Sequence, residues 1–270
     1  MLWYTAIRYL VQISKTNKSL CKIAESSPQR ISSSITCLET IDQSTWSLSA
    51  SSKFELTEWI LTSTADDHGL HRTYKIEPIR SIPIDMSRFP SRLQNVQGVI
   101  QVAPNILWIT TGNSIATLDL SSSNTQLVWP DNNNEQQFHT DAIRLMTLVS
   151  SVSGYELWTY DNQGDIYIWQ TPSIDDAHSN NIHPIFLHKM NISERLSCIK
   201  QIAPTQVWAG AEDGTIIGWD IASRSLLPEP LLNASMKHNR PVTALLSLSK
   251  HSIVFSGSHD QSLRKFTLPL

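Results

Sequence analysis

Histidine and cysteine are the side chains here with the most chemistry to offer, and the chain holds nine of the first and three of the second. His178, His183 and His188 stand five apart in a polar stretch. Three imidazoles at that interval match no zinc-ligand pattern, so the stretch reads as a solvated loop. His68 and His71 flank the turn Asp66-Asp67-His68-Gly69 and read the same way. Cys21, Cys37 and Cys198 are sparse and odd in number, as suits buried thiols in a reducing, cytoplasmic compartment rather than a disulfide framework. Acyl transfer would need a Ser or Cys in a strained elbow beside a base, and no such motif is present. A phosphate cradle would need a Gly-rich loop, and only nine Gly occur altogether. Lys237-His238-Asn239-Arg240 is a small basic spot in a chain of net charge −3, so no field draws it to nucleic acid. The expectation is therefore no catalytic residue, no metal and no cofactor.

The element that organises the chain runs from Val207 to Asp220. Val207 to Ala211 is short and apolar, Glu212-Asp213-Gly214 is a turn, and Thr215 to Trp219 is β-rich. One hairpin is marginal alone in water. The same pattern recurs: Leu107-Trp108, Leu157-Trp158 and Val207-Trp208 each put an aliphatic residue and a Trp at a strand start, fifty residues apart. Val254-Phe255 follows 47 residues on, and Trp59 precedes Trp108 by 49. Five marks at this interval are a repeat of one supersecondary unit. Trp46 offers a competing register for the first unit.

Trp219-Asp220 and the stretch Ala209 to Asp220 resemble the second half of the WD repeat, and Ser256 to Thr267 is similar, with Phe266 in place of Trp. The chain thus resembles the WD-repeat family of β-propellers, most specifically from Leu196 to Leu268. The resemblance implies an all-β fold, a propeller of about five four-stranded blades, complete or open. It also implies a structural network in each blade: a His before the inner strand, a Ser or Thr in the second strand, an Asp at the turn and a Trp in the third. Carried over, the last blade offers His238, Ser256 and Asp260. The middle blade offers His139, Thr159 and Trp169, with Gln163 where Asp would stand. The blade of Cys198 offers Asp213 and Trp219, with Ala209 for the hydroxyl, and the Trp108 blade has Leu118 for Trp. On this reading no blade has the full set, and these residues are structural. Trp108, Trp158 and Trp208 precede the hydroxyl position by one, so alternation turns them to the other face, between neighbouring blades, with their N–H groups near a loop carbonyl.

Taken in order, residues 1–32 form an N-terminal segment and 33–270 the propeller. Leu2 to Ile13 suits a strand better than a helix and is too short to span a bilayer. Ser14 to Ser32 reads as a loop. Ile35 to Ile41, Thr45 to Ala50 and Phe54 to Thr64 are strands, and Pro78, Pro83 and Pro90 mark a connector. Arg224 to Leu227 reads as a fourth strand, while the last unit has only three. Leu2 to Ile13 is the segment expected to pair with Ser262 to Leu268 and close the ring, as ends do in similar propellers. An open array is the alternative.

Rigid rings with variable loops suit partner binding. The expected function is a non-catalytic scaffold that binds other proteins through its loops, with no nucleic acid and no transmembrane segment. Similar arrays are appended to signalling and membrane-traffic regulators. The runner-up is a propeller-type hydrolase, lactonase- or sialidase-like, with a site in the central channel. Thr159 to Gly164 resembles the aspartate box of sialidase-like propellers but has an extra residue before Gly and no second copy.

Overall fold

The computed structural model of the chain describes residues 9–13, 20–26, 35–41, 44–49, 55–65, 72–83, 96–121, 127–128, 139–172, 183–228, 237–248 and 252–268. Among these every regular element is a strand, and the strands fall into five sheets. The first sheet holds β1 (Tyr9–Ile13), β2 (Leu20–Ser26), β3 (Ile35–Ile41), β4 (Ser44–Ser49), β5 (Glu55–Ala65) and β6 (Arg72–Pro83), in the order β1-β2-β6-β5-β4-β3. The second runs β7 (Val96–Ala103), β8 (Ile106–Thr111), β9 (Ser114–Asp119) and β10 (Leu127–Val128). The third runs β11 (Ile143–Ser151), β12 (Gly154–Asp161), β13 (Asp165–Gln170) and β14 (Ile185–Asn191). Three-stranded sheets complete the array: β15 (Leu196–Ala203), β16 (Gln206–Ala211) and β17 (Ile216–Asp220), then β18 (Val242–Leu248), β19 (Ile253–Ser258) and β20 (Leu263–Thr267).

The innermost strands β3, β7, β11, β15 and β18 pack each on the next. A strand inside such a stack is covered on both faces, so it loses the apolar-polar alternation of a half-exposed sheet. Accordingly all six residues of β8 are buried, and five of six in β13 and β16. Between sheets two and three lie Trp108, Ile143, Leu157 and Trp169. Between three and four lie Trp158, Tyr160, Leu196, Ile199 and Trp219. Between four and five lie Ile202, Trp208, Val242, Leu245 and Phe266.

Several sequence expectations are corrected. β1 pairs antiparallel with β2, and β2 lies parallel to β6, so the N-terminal strand extends the first sheet instead of pairing with β20. Tyr9–Ile13 makes no pairing with Ser262 to Leu268, and the first and last sheets share no ladder among the described residues; residues 2–8 of the expected closing segment lie outside them. Leu20–Ser26 is a strand within the stretch read as a loop, because Leu20, Ile23 and Ala24 give it enough apolar character to join an edge. β6 continues through Pro78 to Pro83. A register shift at Glu58/Trp59 absorbs the missing donor, with Trp59 opposite Pro78 and Glu58 opposite Arg80. Trp46, on the second strand, holds the place of Trp108, Trp158 and Trp208, while Trp59 falls on the third. Arg224 to Leu227 makes only one bridge, Leu226 to Trp219. The turn Asp66 to Gly69, His71 and His178 lie outside the described residues.

Candidate functional site

The groups with the connectivity of acid-base chemistry sit where the second and third strands of a sheet meet the loop that enters it. In the third sheet, His139 lies just before β11. Its Nδ1 is 2.9 Å from Asp161 Oδ2 and its Nε2 2.6 Å from Thr159 Oγ1. Trp169 Nε1 donates to the same Thr159 oxygen at 2.7 Å. A carboxylate only accepts, so Nδ1 carries the proton and Nε2 receives the Thr159 hydroxyl. The hydrogen bonds then run in one direction, from indole through hydroxyl and imidazole to carboxylate, and every buried group is satisfied. Burial holds His139 below its ordinary value of 6.5, against the opposing pull of Asp161. The ring is therefore neutral at pH 7.

The Asp of this set is Asp161 and not position 163, so the middle blade holds all four groups. Asp161 ends β12 and folds back into the turn. Its Oδ1 accepts the backbone N–H of Gln163 and of Asp165 at 3.0 Å each, leaving Oδ2 free for His139. Gln163 points outward and donates to Asp141 at 3.1 Å. Sequence reasoning missed Asp161 by fixing the Asp four residues after the hydroxyl, as at Ser256 and Asp260. The signal was present in the turn itself: an Asp followed by Asn162-Gln163-Gly164 is a capping Asx turn. Asp165, beside it, is 5% exposed and held by Lys189 at 2.7 Å and Asn191 at 2.9 Å. Burial alone would raise its carboxyl, but these donors and Thr140 bring it below the ordinary range.

The last sheet repeats the arrangement without the indole. His238 Nδ1 lies 2.9 Å from Asp260 Oδ2 and Nε2 2.7 Å from Ser256 Oγ. Phe266 has no N–H, so Ser256 carries one partner fewer than Thr159. Asp260 is held far below the ordinary carboxylate range by the Ser262 hydroxyl and by backbone N–H groups. In the fourth sheet Asp213 and Trp219 are not brought together. Asp213 caps Thr215 and pairs with Lys237 at 2.7 Å; burial works against these donors, which hold its carboxyl at about 2. Trp219 is 1% exposed and packs with Trp158 and Tyr160 across the seam.

Trp108, Trp158 and Trp208 are all buried between sheets. Their expected loop-carbonyl partners are not those found for two of them: Trp158 Nε1 donates to Glu156 Oε2 and Trp208 Nε1 to Gln206 Oε1, each at 3.1 Å. An acceptor two residues earlier lies on the same face of the strand, which the period of two explains. Glu156, 4% exposed, also takes Arg224 of the next sheet at 3.2 Å. Cys198 is a half-buried thiol pushed up to about 11 by burial. Among the described residues no group of three or more His, Cys, Asp or Glu is placed to hold a metal, and no helix is long and apolar enough to cross a membrane.

No protein-family model matches the chain, and no curated protein matches it in sequence. Solved structures match its fold. The β-propeller domain of Cps50 (Swd1) from Myceliophteria thermophila aligns with a TM-score of 0.61 and 11% identity, over 89% of this chain and 71% of that one. The WD40 domain of Neurospora crassa Pan2 aligns at 0.52 and 11% identity, over 88% and 62%. The computationally designed Ika8 protein aligns at 0.52 and 16% identity, over 92% and 74%. Likeness at such identity speaks for architecture alone: the chain is built as a β-propeller, and among the described residues its sheets do not close into a ring.

Proposed function

We propose that the chain is a non-catalytic scaffold that binds other proteins through the loop ends of its blades. One observation carries this reading: the two His-hydroxyl-carboxylate chains are shut inside the sheets, while apolar side chains stand in solvent at a loop end. His139 and His238 are each 1% exposed, and Thr159 and Ser256 not at all. A hydroxyl that no substrate can reach, and that already serves an imidazole, ties strands together instead of attacking. At the opposite end of the sheets from His139, Val152 and Tyr155 stand exposed in the β11–β12 turn, Ile185 at the start of β14 and Leu226 beside Trp219. The Glu156–Arg224 pair links those two neighbouring sheets. Exposed apolar groups on rigid elements favour protein partners. A place in a signalling or membrane-traffic regulator, in the cytoplasm, is the setting this reading fits.

A quantitative pull-down from cell extract with the intact chain and with Val152→Ser/Tyr155→Ser/Leu226→Ser tests it. Loss of specific partners at unchanged melting temperature is expected. Identical partner sets would count against this end of the blades as the binding surface. The alternative, a propeller-type hydrolase, is favoured by the relay connectivity alone. Screening ester, phosphoester, lactone and glycoside substrates checks it; turnover that disappears with Thr159→Val or Ser256→Ala would overturn the scaffold reading.

A further inference from the structure

We propose that the cleft between the outer edges of the third and fourth sheets takes a peptide segment in which a carboxylate stands beside apolar side chains, with Arg224 as its anchor. This deepens the scaffold reading and rests on it. The seam between these sheets is packed shut where Trp158 meets Trp219 within one buried cluster. Farther out it opens. Glu156 stands two residues before Trp158, so both lie on the face of β12 turned towards the fourth sheet. Gln170 pairs with Glu156, and Ile185 with Gln170, so all three share that face. From the other side, Leu226 is bridged to Trp219 and shares its face, turned towards the third sheet. Ile185 is 42% exposed and Leu226 60%. Blades set around an axis diverge outward, which leaves such a gap between their outermost strands.

Arg224 reaches across this cleft and donates from Nη2 to Glu156 Oε1 at 3.2 Å. Glu156 Oε2 is already taken by the Trp158 indole at 3.1 Å. The indole does not require a charge. In the next seam the neutral Gln206, again two residues before its Trp, accepts from Trp208 Nε1 at the same 3.1 Å. A carboxylate as buried as Glu156 is costly to desolvate, so its charge answers to Arg224. Arg224 in turn sits at φ 56°, in the left-handed region that L residues avoid. Together these hold one guanidinium at the mouth of the cleft. Its single bond leaves the Nε and Nη1 donors without a protein acceptor among the described residues. Gln170, Ile185, Ser223, Ser225 and Leu226 around it are uncharged, and Asp220 Oδ1 is turned to the Ser223 N–H and hydroxyl at 2.8 Å each. A guanidinium held from behind by one carboxylate, with donors facing forward, matches a second carboxylate in two parallel bonds. Apolar walls on both sides favour a peptide carrying aliphatic side chains over a free anion.

Selection of random phage-displayed peptides against the intact chain tests this. Enriched sequences should share Asp or Glu next to an aliphatic residue. A fluorescent peptide of that consensus should lose about thirtyfold in affinity with Arg224→Ala, the scale of an Arg anchor. Exchanging its carboxylate for an amide should cost the wild-type chain as much and the variant nothing. Arg224→Ala leaves Glu156 without its cation, so Glu156→Gln/Arg224→Ala is the companion. It copies the Gln206–Trp208 arrangement, should keep the wild-type melting temperature, and should bind as weakly as Arg224→Ala. Enriched peptides without a carboxylate overturn the proposal, as does affinity that survives the double variant or a selection that enriches nothing. The scaffold reading is judged separately: specific partners captured from extract by the wild type and the double variant alike would leave it standing and remove this cleft as the site.

Discussion

Thr159→Val and Ser256→Ala remove one oxygen each from corresponding positions, with little change of shape. Their costs should differ because their oxygens serve different numbers of buried groups. Thr159 Oγ1 satisfies His139 Nε2 at 2.6 Å and the Trp169 indole at 2.7 Å. Ser256 Oγ satisfies His238 Nε2 alone, since Phe266 replaces the indole. A buried polar group left without its partner costs about 1–3 kcal/mol. Thr159→Val strands two such groups and should cost roughly 2–6 kcal/mol, while Ser256→Ala strands one and should cost roughly 1–3 kcal/mol. Urea unfolding followed by fluorescence measures both, with the difference read from the midpoint at unchanged m. Equal costs, or a Thr159→Val loss within error, would refute the claim that the indole–hydroxyl–imidazole–carboxylate chain is one cooperative unit.

Trp219→Ala should destabilise by about 3–5 kcal/mol, the range for truncating a large buried aromatic; chemical denaturation with no shift would remove Trp219 from the seam. Because burial lowers His139 in the folded state, its contribution is complete above the unfolded value of 6.5 and is lost as pH falls from there towards the folded value. Stability should therefore fall below pH 6.5 by up to about 1.4 kcal/mol per pH unit for this one proton, and a His139→Leu variant should lack that slope in pH-dependent denaturation. Asp213, held at about 2 against an ordinary 3.8, adds a second loss as pH drops through that lower interval, which Lys237→Ala should diminish. Cys198, pushed up to about 11, should resist alkylation at neutral pH in the folded chain and react on unfolding, as peptide mapping will show.

The sequence carried the seams better than the sheets' ends. The interval between Trp108, Trp158 and Trp208 records a physical necessity, one large side chain per interface, and it was legible without any structure. Asp161 was harder to see because a carboxylate reaches His139 from the end of a strand as well as from the turn, and spacing alone does not separate the two. Trp46 and Trp59 were both visible as aromatics, but only strand pairing shows which lies on the second strand. Pro78 read as a breaker because the bulge that accommodates it, with Ile79 left between the pairs Glu58–Arg80 and Trp59–Pro78, shows only once the two strands are paired. The closing strand failed for a related reason: Tyr9–Ile13 has a neighbour in Leu20–Ser26 that it reaches through a short connection, so the nearer pairing wins over one across the whole chain.

An open stack in which each sheet touches only its neighbours has a linear logic of unfolding. A closed ring must break two seams to release any blade, whereas here an end sheet leaves by breaking one. Opening should therefore begin at either terminus and proceed inward, each step losing one sheet and one interface. Amide hydrogen exchange would register this as a gradient: slowest in β12 and β13, whose sheet is held from both sides and tied by its own four-group chain, and faster towards β20 and β1.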